Sequence, residues 1–164
     1  MRRSQHTSLP QHCLEIVGTP TEWQRCEGQI CRSFPGRVAW HLDHMLKVIN
    51  RIHDALESSN QEDYSWSPHP LRLLVFNSGK MPRGRGKSPA VVLPPEVIET
   101  RDILDQLNEA KMKWKAIDQL PPGKWFDHYA FGQLDRDDAM RFIVIHTRHH
   151  LSIIRDILST KPQS

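Results

Sequence analysis

Three long stretches of this chain repeat apolar residues at steps of three and four, the spacing that puts side chains on one side of an α-helix. From Arg37 to Ser58 the series is Val38, Leu42, Met45, Ile49, Ile52 and Leu56. From about Glu96 to Gln119 it is Ile103, Leu107, Ala110, Trp114 and Ile117, and from about 136 to 158 it is Ile143, Ile154 and Ile157. A helix with a single apolar stripe draws most of its stability from burying that stripe on another element. No strand-like alternation persists anywhere, so the pattern predicts an all-α helical bundle with long connecting loops and no sheet.

The remaining segments read as connections. Residues 60–69 are polar and carry Pro68; a short helix from Leu71 to Asn77 follows, stopped by Gly79. Lys80 to Pro95 is too rich in Gly and Pro to stay helical. Pro121-Pro122-Gly123 ends the middle helix, and an aromatic loop with Trp125, Phe126, His128, Tyr129 and Phe131 leads to the last. Asp135 fits that helix's N-cap, with Asp137 and Asp138 in its first turn, where carboxylates suit the dipole. Residues 1–20 are expected to be a disordered N-terminal tail, residues 21–32 a short helix, and residues 21–160 one helical bundle domain. At 164 residues, a chain can bury a core without disulfides.

Composition narrows the setting. No apolar run approaches the roughly 20 residues that span a bilayer, so no membrane partner is expected. The basic start, Met1-Arg2-Arg3, is followed by no apolar stretch, which argues against a secretory signal. The three cysteines, Cys13, Cys26 and Cys31, fit no disulfide framework or zinc-ribbon spacing and read as reduced thiols of a cytoplasmic protein. A net charge of +3 neither demands nor excludes a nucleic-acid partner.

The compositional oddity is ten histidines, five of them in two clusters at 41–44 and 146–150. Each helical residue advances about 100° around the axis. On the last helix His146 and His150 then fall within roughly 60° of Ile143, facing inward one turn apart, while His149 points to the side. On the 37–58 helix His41 falls at the shoulder of the apolar face, and His44, roughly 120° away, out of the core. A lone histidine on an apolar face is ordinarily a hydrogen-bonded core group. An inward pair four residues apart has Cβ atoms roughly 5–6 Å apart and can share one ion. With His41 as a third nitrogen, a coordination position stays open, the arrangement of catalytic zinc. His44 and His149 are the alternates. Asp43 reads as an exposed helix carboxylate or a partner for a ligand's second nitrogen.

At these residues the sequence resembles a known family. The segments are Trp40-His41-Leu42-Asp43-His44-Met45-Leu46, then Gly79-Lys80-Met81-Pro82-Arg83-Gly84 leading to Ser88-Pro89, then His128-Tyr129-Ala130-Phe131-Gly132-Gln133-Leu134, and His146-Thr147-Arg148-His149-His150-Leu151. Spanning roughly residues 36–158, they are similar to the DinB/YfiT-like superfamily of metal-binding four-helix bundles, within it a branch catalogued as a domain of unknown function. The final His-x-x-His-His-Leu, after a His-x-x-Phe-Gly-x-Leu loop, is the most specific part. The resemblance implies a DinB-like four-helix bundle and a divalent ion, zinc or nickel most often, held by His41, His146 and His150. It also implies thiol-dependent transferase or isomerase chemistry with a low-molecular-weight thiol as substrate. Two features depart from the pattern. The usual long first bundle helix has only a weak counterpart in residues 1–32, and Ile153 stands where many members carry Gln.

The expectation is therefore a metal-dependent enzyme, a thiol-dependent transferase or a hydrolase, acting on a small molecule. His128 is the candidate acid/base, and Arg83 and Arg85 are candidate anion contacts in a loop shaping the site entrance. Two rivals stand beside it: a non-catalytic bundle stabilised by its ion, and a binding module using the basic loop of Lys80, Arg83, Arg85 and Lys87, with nucleic acid the weaker form of that reading. Monomer and homodimer are both open.

Overall fold

A computed structural model describes residues 36–84 and 88–159. Within them the chain forms helix α1 (Gly36–Ser58), the short α2 (Pro70–Ser78), α3 (Thr100–Ile117) and α4 (Arg136–Ser159), with a two-stranded hairpin between α3 and α4. The architecture is mostly helical and bundle-like. The expectations for residues 1–20 and 21–32 lie outside the described residues, as does Arg85.

Every member of the α1 and α3 stripes is buried, along with Ile143 and Ile154 of α4; Ile157 packs on the same core half-buried. α1 is the central element, packed on α3 along one flank and on α4 along the other. The α1–α3 flank is partly polar. Asp43, 1% exposed, accepts a hydrogen bond from Gln106 Nε2 at 2.7 Å and pairs with Lys47 at 2.7 Å, so the exposed-carboxylate expectation is corrected. It sits beyond the apolar stripe that phased the helix, yet α3 covers that side too.

Sequence signals placed the helix ends well. Asp135 caps α4, its Oδ1 accepting the Asp138 N–H at 2.9 Å. Gly79 ends α2 with φ 64°, and its N–H bonds Val75 O at 2.8 Å. α3 starts at Thr100, four residues later than expected, because the chain stays extended at Glu99 (φ −84°, ψ 144°).

The expected aromatic loop is a β-hairpin instead: β1 (Trp125–His128) runs antiparallel to β2 (Gly132–Asp135), pairing Trp125 with Asp135 and His128 with Gly132. Four-residue strands are too short for a period of two to stand out, although the aromatic run has strand propensity. Gly132 has φ 69°, and a Cβ there would lie 2.6 Å from His69 Nε2, so the turn needs glycine on two counts. Arg72 of α2 ties this end together: its guanidinium donates to Gln133 O at 3.2 Å and pairs with Asp138. The hairpin thereby holds His128 and Phe126 beside the α1–α4 seam.

Candidate metal centre

Near its N-terminal end α1 carries His41 and His44, and opposite them α4 presents His146 and His150. Ligand-capable atoms of His44, His146 and His150 all lie within 4.8 Å of one another, and all three residues are buried. Their ring centroids are 4.4 Å apart for His146–His150, 5.0 Å for His44–His150 and 5.2 Å for His44–His146. His41, half-buried, touches the same group from the side: its Nδ1 is 2.9 Å from Nδ1 of His150. His150 Nε2 in turn lies 3.1 Å from His146 Nε2.

His44 was expected to point away from the core and does not; it is 3% exposed. The phase of the apolar stripe located the side of α1 that packs on helices. It carried no information about the loop segment around the 3-10 turn Ala90–Val92, which covers the His44 side. The Val92 carbonyl lies 2.8 Å from His44 Nδ1. A carbonyl only accepts, so Nδ1 carries the proton and Nε2 keeps its lone pair, as a ligating imidazole requires. Trp40 stacks on the same ring at 5.0 Å.

The cluster's electrostatics favour neutral rings. Burial pushes the His150 imidazole down to about 2, helped by neighbouring His44 and His41. Burial likewise drives His146 well below the ordinary range, with His150 and His44 adding to it. His44 is lowered by burial against the opposing pull of the Val92 carbonyl, and His41 by burial and by His44. Neutral imidazoles are the metal-binding form.

Whether the residues fit an ion can be tested on their hydrogen bonds. A neutral imidazole has one N–H and one lone pair. Within the cluster His150 donates through one nitrogen and accepts through the other, between His41 and His146. That chain ends at His146, whose Nδ1 is buried without a partner. Leaving a buried polar atom unmatched costs about 1–3 kcal/mol. A purely hydrogen-bonded cluster is thus incomplete, and the donor set, all imidazole, suits zinc, nickel, copper or iron. The residues fit a divalent transition ion.

His44, His146 and His150 line a cavity of about 520 Å³, as do His41, His149, Met81 and Pro82. Its far wall is the hairpin and α4: Phe126, His128 and Phe142. The His128 ring stacks on Phe131 at 4.3 Å, and burial lowers its pKa to about 4. Its Nδ1 accepts the Ala130 N–H at 3.2 Å, which leaves the ring proton on Nε2. His149 is half-buried, edge-on to His150. Of the two arginines predicted to meet substrate, Arg83 is held on the surface by Asp156 at 2.6 Å and Ser152 at 2.7 Å.

Fold and site together define a helical-bundle protein with a buried histidine cluster open to a cavity. The family described as "Protein of unknown function (DUF1569)" matches residues 69–156, and the chain belongs to that family. The matched segment includes His128, His146 and His150; His41 and His44 precede it. No curated protein and no solved structure matches the chain.

Proposed function

We propose that the protein is a metal-dependent enzyme acting on a small molecule, with a divalent ion, zinc or nickel, held by His44, His146 and His150. The observation that carries this reading is the meeting of three buried, neutral imidazoles from two helices at the wall of a cavity large enough for a small substrate. Here His44 takes the place first assigned to His41, because its Nδ1 is already committed to Val92 O and its Nε2 is free. His41 then serves His150, receiving or giving the proton at Nδ1 and so fixing the ring's orientation. Such an ion supplies a Lewis acid that lowers the pKa of a coordinated water or thiol.

The DinB-like resemblance favours a thiol substrate and group transfer over hydrolysis. His128, neutral with its proton on Nε2, acts as a hydrogen-bond donor orienting the substrate. The aromatic wall of Phe126 and Phe142 excludes water from the reacting end. One observation favours a second reading, a structural ion: His41 Nδ1 lies 2.9 Å from His150 Nδ1, so a turn of its ring would bring a fourth imidazole to the coordination shell.

Metal analysis of protein purified without added metal or a metal-affinity column tests the reading. The expected result is about one divalent ion per chain, lost in His146→Ala and in His150→Ala. Metal-free protein that also fails to take up zinc or nickel on titration would overturn it. Cobalt substitution separates the two versions: a visible spectrum that shifts on adding small thiols marks an open position, and one that shifts only in His41→Ala marks the structural ion.

A further inference from the structure

Along α1 the cavity is lined by Trp40, His44, Val48, Arg51 and Ala55, spaced three and four apart on one face of the helix. Arg51 is the only Lys or Arg among the described residues of the lining. It is exposed and makes no ion pair or side-chain hydrogen bond among the described residues. Its neighbours on α1 are engaged: Lys47 with Asp43 at 2.7 Å, and Asp54 with Lys113 at 2.5 Å. Asp127, also in the lining, is exposed on the strand face opposite Phe126 and forms no ion pair with Arg51. Seven residues separate His44 from Arg51, two helical turns and about 10 Å of rise. The surfaces between are apolar: Val48 and Ile52 on α1, Phe126 and Phe142 across the cavity.

We propose that Arg51 is the anion-recognition residue of this cavity. Its ligand is an elongated molecule with an apolar middle and an anionic head, a carboxylate or a phosphate, about 10 Å from the group held at the histidines. An unpaired guanidinium offers a planar fork of donors that either head accepts in bidentate fashion. The apolar side chains of Val48, Ile52, Phe126 and Phe142 disfavour a polar middle, which would lose its water against them. The assignment replaces Arg83, whose fork is occupied by Asp156 and Ser152. The position of the far end rests on the metal reading above; the anion subsite does not.

Calorimetric titration of the metal-stripped full-length chain with octanoate, octyl phosphate and octanol tests the subsite alone. At least one anionic probe should bind roughly tenfold more tightly than octanol, and whichever does so names the head. Arg51→Gln should erase that preference and Arg51→Lys keep part of it, while Arg83→Gln leaves it unchanged. No binding by any probe, equal binding of all three, or a preference that survives in Arg51→Gln each overturns the proposal. Repeating the titration on zinc-loaded protein with 8-mercaptooctanoate examines the other end. If the thiol adds no affinity over octanoate while the anion preference stands, the thiol-binding open position at the ion falls and the Arg51 subsite remains.

Discussion

The two flanks of α1 use polar residues in opposite ways. Along α3 the pairs are complementary: Asp43 with Lys47 and Gln106, Asn50 with Glu109 at 3.3 Å, and Asp54 with Lys113. Along α4 the groups are alike, with four imidazoles facing one another and the buried His146 Nδ1 left without a partner. Complementary groups largely complete each other, although the side-chain oxygens of Asn50 and Gln106 are buried without a hydrogen-bond partner among the described residues. Like groups gathered in a buried seam raise each other's cost of charging and share an unfilled need. The first arrangement serves the fold, and the second suits a binding site.

The sharpest way to break this contrast is to exchange the two losses. His150→Ala should reduce metal content at least tenfold, in keeping with removal of one of three ligands, while Asp43→Ala leaves it unchanged. Asp43→Ala should instead lower unfolding stability by about 2 kcal/mol, in metal-free and metal-loaded protein alike, because it strands Gln106 and Lys47. Metal loss in Asp43→Ala, measured by atomic emission on folded protein, would mean the flanks are not separable.

Acid should separate them next. The histidines of the α4 flank and His128 have folded pKa values below the unfolded 6.5, so the unfolded chain binds more protons as pH falls through that value. Their contribution is fully present above 6.5 and is lost as pH falls toward about 4 for His128 and lower for His150. Burial works against the Asp54 charge, but hydrogen bonds from Lys113 and His53 hold its carboxyl below 3.8. Its contribution is present above that value and fades only beneath it. Denaturant titrations of metal-stripped protein should therefore lose on the order of 2 kcal/mol between pH 6.5 and 4, before the α3 flank titrates. A flat profile over that interval contradicts the burial of the histidines.

A smaller effect is expected at Gly132→Ala, about 1–2 kcal/mol from the positive φ and the crowding on His69. Metal content should stay intact, since the hairpin supplies no ligand; a thermal melt beside metal analysis checks both. The smallest is His149→Ala, with less than a twofold change in metal affinity. A larger loss would bring His149 into the coordination set.

The helices were legible because their stripes bury on one another: Met45, Leu107 and Ile143 lie where a period of 3.6 residues puts them. His146 and His150 were legible for the same reason, being four apart on a face already fixed by Ile143. His44 and Asp43 were not. Their environments come from elements distant in sequence, the segment around Val92 and Gln106 of α3, and a helical wheel sees only its own helix. The hairpin was hidden by its length. His69 against Gly132 is a contact between residues 63 positions apart, which no local pattern encodes.

The meeting of His44 with His146 has a topological side. The two lie on the first and last helices of the described chain, about 100 residues apart. The pair His146–His150 is assembled as soon as α4 winds, but its third member arrives only when the two ends of the described chain come together. An ion shared by all three would act as a cross-link closing that whole span. In the chain-entropy view such a link removes about 4–5 kcal/mol of freedom from the unfolded ensemble. Metal occupancy would then fasten the described chain at the seam where its imidazoles face one another.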